Sequence, residues 1–197
     1  MKKINRIFIL VSVLLQIAIS ISAKDKDEEL LAFSIYGDNF LLSIPLPNYW
    51  MVDMNAAARY GVNGVFFIKK YGMDETPVYI NVKLYFPPKD FTLEKFESDM
   101  IKNLTDYLPD YKLTKIGSAE YSTQLNKWQY KLYDLKKKEG HGHYQQIAYM
   151  KCEEKNVFIE MYIDCIEDTH KDNNKYIKDF INCLHKMEFP NYSFKFN

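Results

Sequence analysis

The sequence predicts an α+β protein in which an antiparallel sheet is flanked by amphipathic helices. Several short segments alternate apolar and polar residues and are separated by turn residues, which is typical of strands joined by hairpins. Two longer segments repeat apolar residues at spacings of three and four, as amphipathic helices do. Because helices with one apolar face must bury it against the sheet, the expected arrangement is an α-β-α sandwich. A length of 197 residues suits one domain, which we place at residues 31–190.

The alternating segments predict strands at 31–36, 40–44, 65–70, 78–86, 112–122, 127–135, 144–151 and 156–164. Gly37-Asp38-Asn39 reads as the turn of the first hairpin. Pro45 and Pro47 are expected to end that hairpin, since proline cannot donate to a ladder of hydrogen bonds.

Helices are predicted at 92–108 and at about 169–186, where the apolar residues fall on one stripe. Thr92 suits the N-cap of the first helix, and Pro109 marks its end. Residues 51–62 are ambiguous, with a helical turn favoured at 55–59 before Gly61.

The first 23 residues have the pattern of a secretory signal peptide. A basic start is followed by a short apolar run and then by small residues before a charged leader at 24–30. The apolar run is shorter than the roughly 20 residues that a membrane span needs. We therefore expect cleavage near Ala23, a periplasmic or secreted mature protein, and no stable membrane insertion after cleavage. Residues 191–197 would form a C-terminal tail.

Charge argues against a nucleic-acid partner. The chain has 26 basic and 26 acidic residues, and removal of residues 1–23 takes away three basic ones, which leaves 23 against 26. Affinity for phosphate backbones comes mainly from concentrated positive charge, which a net charge of −3 does not provide.

At the level of pattern, most of the mature chain resembles the PsbP-like fold family, which includes bacterial DcrB-type exported proteins. The resemblance is carried by Phe40-x-Leu42-x-Ile44-Pro45 followed by Asn48-Tyr49-Trp50, by the strand before the Thr92 helix, and by a closing hairpin and helix ending near Met187-Glu188-Phe189. It implies an α-β-α sandwich and a binding or accessory role. Plant members assist a photosynthetic complex, and a nuclear relative binds a small GTPase. No family binding site matches this sequence residue by residue.

The three cysteines allow one disulfide in an oxidising compartment. Cys152 ends one strand of the closing hairpin, and the last helix should return Cys183 to the same end, with Cys165 at the other. Cys152 and Cys183 are thus the candidate pair. The alternative, of equal weight, is three buried free thiols, since cysteine packs well as a small apolar residue.

His141 and His143 form the one short motif with metal-ligating residues, and Glu139 lies nearby. Protein zinc sites use three or four ligands, and no other histidine is close in sequence. A solvated hairpin tip is therefore favoured over a metal site.

The polar faces of two strands form the candidate binding surface. It comprises Tyr79, Lys83, Tyr85, Phe158, Glu160 and Tyr162. Amphipathic and aromatic side chains of this kind are enriched in interface cores. The alternative is that a helix or residues 51–62 cover this face, and a three-layer fold favours such a cover.

No common catalytic or nucleotide-binding motif occurs in the chain. The leading hypothesis is therefore an exported, non-enzymatic protein that binds a protein partner or a small ligand. A metal-binding protein using His141 and His143 is the second hypothesis. A hydrolase with a site built from distant residues is the third, because catalytic triads are defined by geometry. The sequence does not identify a cofactor.

Overall fold

The computed structural model describes residues 30–37, 40–167 and 170–190. The predicted signal peptide, all of the leader except Leu30, Asp38 and Asn39 of the first turn, and the tail at 191–197 lie outside the described residues. The elements are β1 (Leu30–Gly37), β2 (Phe40–Pro47), β3 (Trp50–Val52), α1 (Met54–Tyr60), β4 (Gly64–Ile68), α2 (Gly72–Glu75), β5 (Val78–Tyr85), α3 (Leu93–Tyr107), β6 (Tyr111–Ser122), β7 (Lys127–Lys137), β8 (Tyr144–Cys152), β9 (Val157–Cys165) and α4 (Asn173–Leu184).

Strands β3 to β9 form one antiparallel sheet in the order β3-β4-β5-β9-β8-β7-β6. Strands β1 and β2 form a separate two-stranded sheet, and Ser43 of β2 also forms an antiparallel bridge with Glu188. The antiparallel sheet with flanking helices, predicted from the sequence, is thus confirmed. Among the described residues no helix is long and apolar enough to cross a membrane.

One face of the large sheet is covered by α4 and β2. Tyr176, Phe180 and Leu184 of α4 belong to the same buried cluster as Leu42 and Ile44 of β2 and the apolar positions of β5, β8 and β9. Burial of these side chains supplies most of the driving force for folding on this side.

The opposite face is covered by α3 and α1 at separate places. Leu93 and Phe96 of α3 pack with Tyr149 and Phe158 of the sheet. A smaller cluster joins α1 to Val65 of β4. The two helices therefore cover two parts of this face.

The prediction that two prolines end the first hairpin is wrong, because β2 continues through Pro45 to Pro47. Proline is tolerated where its missing N–H is not needed for pairing. The helical turn favoured at 55–59 is a full helix, α1. It starts at the N-cap Asp53, whose Oδ1 accepts the N–H of Ala56 at 2.8 Å. It ends at Gly61, whose φ of 66° suits glycine.

Candidate binding site

The structure brings the six predicted binding residues onto one face of two neighbouring strands. In the pairing of β5 with β9, Lys83 lies opposite Glu160, and Tyr85 lies opposite Phe158. Side chains two apart on a strand share a face, so Tyr79 and Tyr162 extend the same surface. The six side chains therefore lie on one face of the sheet.

Both ends of this face are covered, as the alternative hypothesis required. The ring of Phe96 on α3 lies 5.0 Å from Tyr85 and 5.1 Å from Phe158, measured between centroids. Phe158 is wholly buried and belongs to the core, so it cannot contact a ligand at the surface. At the other end, Tyr79 packs against the cluster of α1. Lys83 and Glu160 lie between the two covered parts.

Glu160 and Tyr85 form a polar contact where the uncovered part of the face meets the part that α3 covers. The Tyr85 hydroxyl donates a hydrogen bond to Oε2 of Glu160 at 2.8 Å. Burial raises the pKa of Glu160, although the Tyr85 hydrogen bond and the nearby Lys83 both act to lower it. Burial also raises the pKa of Tyr85, and the Glu160 charge adds to that effect. Glu160 is therefore a carboxylate at the boundary between the core and solvent.

A groove of about 490 Å³ opens above these groups, between the sheet and α3. It is lined by Lys83, Tyr85, Met100, Asn103, Leu104, Tyr107 and Glu160. A second cavity of about 240 Å³ shares Tyr85 and Met100 with it and is otherwise lined by Phe86, Pro87, Phe91, Phe96 and Asp99. The first cavity mixes polar and apolar groups, whereas the second is largely aromatic.

Helix α3, which forms the wall of this groove, is attached to the sheet by a half-buried carboxylate. Glu97 accepts a hydrogen bond from the Lys131 ammonium at 2.5 Å and another from the Tyr133 hydroxyl. Burial acts to raise the pKa of Glu97, but the hydrogen bonds from Lys131 and Tyr133 lower it overall. Thr92 caps the helix by accepting the N–H of Lys95 at 3.2 Å, as the sequence predicts.

Two polar side chains on the same face make no hydrogen bond within the described part of the chain. They are the amide of Asn81, which is 1% exposed, and the hydroxyl of Tyr149. Asn81 lies opposite Tyr162, and Tyr149 lies opposite Glu160. A buried polar group without a partner costs about 1–3 kcal/mol. The polar atoms of Asn81 and Tyr149 therefore do not contribute to the stability of this face through hydrogen bonds.

The structure does not support the metal hypothesis for His141 and His143. Nδ1 of His143 lies 3.1 Å from Oδ1 of Asp164, a buried carboxylate that also accepts from Tyr79 and Gln145 at 2.9 Å each. Over residues 30–37, 40–167 and 170–190, no three His, Cys, Asp or Glu side chains are grouped to hold a metal ion. His143 is thus engaged in a hydrogen-bond network at the end of the sheet.

The structure does not show the predicted Cys152–Cys183 disulfide. All three cysteines are free thiols and are buried. Cys152, Cys165 and Cys183 belong to one apolar cluster, where each packs as a small hydrophobic side chain. This arrangement matches the alternative that the sequence left open.

Sequence reasoning missed the α3 side of the groove. The spacing of apolar residues predicts that Met100, Leu104 and Tyr107 lie on the buried stripe of the helix, but Tyr107 is 83% exposed. Asn103 belongs to no apolar pattern, and the sequence marks it only as the first residue of the sequon Asn103-Leu104-Thr105. The one available hint was Pro109, because it ends the helix and so places Tyr107 in the last turn.

No protein-family model matches the chain, and no curated protein matches it. Solved structures are similar in fold. The cyanobacterial PsbP (CyanoP) of Synechocystis sp. PCC 6803 is 14% identical over 85% of this chain and 96% of its own, with a TM-score of 0.56. The fold is PsbP-like. The Ran-binding protein Mog1p of Saccharomyces cerevisiae is 10% identical over 82% of this chain and 96% of its own, with a TM-score of 0.49. The resemblance to the PsbP-like fold is confirmed; the narrower DcrB-type resemblance is not.

Proposed function

We propose that this chain is an exported, non-enzymatic binding or accessory protein whose contact site is the groove between the sheet and α3. The observation that carries the proposal is the convergence of Lys83, Glu160 and Asn103 beside the apolar side chains of Met100 and Leu104. Binding sites typically combine an apolar lining with a few polar groups that orient the ligand.

Two further observations support the same class of function. The PsbP-like fold agrees with the resemblance seen in the sequence, which implies binding and accessory roles. The exposed ring of Tyr107 at the mouth of the groove is a side chain of the kind that is enriched in recognition surfaces. The export part of the proposal rests on the signal-peptide pattern of residues 1–23.

Site-specific photocrosslinking tests this proposal. A benzophenone amino acid replaces Tyr107 in the full chain, and the protein is irradiated in extract of its native source. Tyr36 is the matched control, because it is a tyrosine of similar exposure on β1. We expect an adduct of defined mass, either a protein or a small molecule, from position 107 only. Equal labelling at both positions, or no adduct from Tyr107, would contradict the groove as the contact site.

A further inference from the structure

The groove adjoins the aromatic cavity along α3, and the two together have ends of different character. Tyr85 and Met100 line both cavities, so the cavities adjoin at these two side chains. One end is formed largely by Phe86, Phe91 and Phe96. Volumes of about 240 and 490 Å³ together suit a small molecule, for which pockets of about 300–1,000 Å³ are usual.

The other end holds a cation that is available to a ligand. The Lys83 ammonium lies 5.3 Å from the centroid of the Tyr85 ring, and no described residue forms an ion pair with it. Glu160 already accepts the Tyr85 hydroxyl. Burial raises the pKa of Glu160, although the Tyr85 hydrogen bond and Lys83 both act to lower it. The Lys83 ammonium is therefore the charged group at this end that can pair with a ligand.

The aromatic end carries the opposite charge at its rim. Asp99 is exposed and lines the aromatic cavity, one turn of α3 away from Asn103 in the polar cavity. A ligand carboxylate would be repelled near Asp99 and attracted near Lys83. Charge thus gives a ligand one orientation in the groove.

We propose that the groove binds a small amphipathic carboxylate, with its apolar body against the phenylalanines and its carboxylate at the Lys83 ammonium. This inference rests on the proposed function, since it names the ligand class for the same site. An apolar body releases water from the aromatic end, and a charge-assisted hydrogen bond to Lys83 fixes the head group. Asn103 lines the same cavity as Lys83, and its amide is a second donor for the carboxylate.

A head-group series tests the ligand class. Decanoate, decanol and decylamine are titrated into the mature chain, and binding is followed by calorimetry and by the methyl resonance of Met100. We expect decanoate to bind most tightly, decanol about tenfold more weakly and decylamine more weakly still. Equal affinity for all three, or binding of decanoate that leaves the Met100 signal unmoved, would overturn the proposal.

Variants test the role of the ammonium. Lys83→Met should weaken decanoate binding about tenfold and leave decanol unchanged, whereas Lys83→Arg should retain binding. Lys102→Met is the control, because Lys102 is an exposed lysine of α3 outside both cavities. Thermal melts confirm that each variant is folded. Glu160→Gln should leave decanoate affinity equal or higher. A loss of affinity in this variant, once it is shown to be folded, would contradict a head group at Lys83 beside Glu160 and overturn the proposal.

The two proposals fail in distinguishable ways. If decanoate does not bind but the Tyr107 crosslinker captures a protein or another molecule, the carboxylate inference is wrong and the groove remains the contact site. If decanoate does not bind and position 107 yields no adduct, both proposals are wrong.

Discussion

The indole N–H of Trp50 donates a hydrogen bond to the carboxylate of Asp179 at 3.2 Å, across 129 positions of the chain. Both residues are buried, and the Tyr49 hydroxyl donates to the same carboxylate oxygen. Asn48-Tyr49-Trp50 is one of the segments that carry the family resemblance. Its structural role is to attach the start of β3 to α4 through Asp179. The sequence analysis did not single out Asp179.

Replacement of Asp179 should therefore destabilise the fold. We expect Asp179→Ala to lower the free energy of unfolding by about 1–3 kcal/mol, because the Trp50 N–H is left buried without an acceptor. Asp179→Asn should cost less, since its amide oxygen can still accept. Urea denaturation followed by tryptophan fluorescence measures both changes. Lys178→Ala, at an exposed position of the same helix, is the control, and an equal loss there would contradict the prediction.

The strands and long helices could be predicted because their patterns are local. The alternation from Val78 to Phe86 matches β5, and the three-and-four spacing after Thr92 matches α3. Pro45 and Pro47 were misjudged because whether a strand tolerates proline depends on its neighbours, which the sequence does not reveal. Helix α1 was only partly predicted, since its seven residues are too few to establish a period.

The site could be predicted only on its sheet side. Alternation placed Lys83, Tyr85 and Glu160 on one face, and the pairing of β5 with β9 placed the two strands together. The groove itself depends on how α3 crosses that face, which is set by contacts such as Glu97 with Lys131. These contacts join residues far apart in the chain, so no local pattern marks them.

Glu160 should make stability depend on pH in a defined direction. Its pKa is raised by burial, so it contributes stability that is complete at acid pH and is lost as the pH rises through its folded-state pKa. Glu160→Gln should therefore raise the Tm by a few degrees at about pH 7, and this gain should disappear as the pH falls below the ordinary carboxyl range. Scanning calorimetry over this range measures it. Glu153→Gln, at an exposed position, should show no such trend.

Removal of the hydroxyl group from each of two tyrosines beside Glu160 should have different effects on the free energy of unfolding. Tyr149→Phe removes a buried hydroxyl that has no partner in the described chain, so we expect the free energy of unfolding to stay equal or to rise by about 1 kcal/mol. Tyr85→Phe removes the donor to Glu160 and should lower it by about 1.5–3 kcal/mol. Chemical denaturation of the two variants is the measurement. Equal losses would mean that packing around the rings, and not hydrogen bonding, controls stability here.

The three cysteines should be unreactive in the folded protein. Burial raises the pKa of Cys152 and of Cys165 to about 12, and it also raises that of Cys183. At about pH 8 the thiols are therefore protonated, and the thiolate that attacks iodoacetamide is scarce. We expect no label in native protein and three labels in urea, counted by intact mass without reductant. One label in urea would instead reveal a bridge between two cysteines, and labelling of the native state would show that the core of β8, β9 and α4 opens readily.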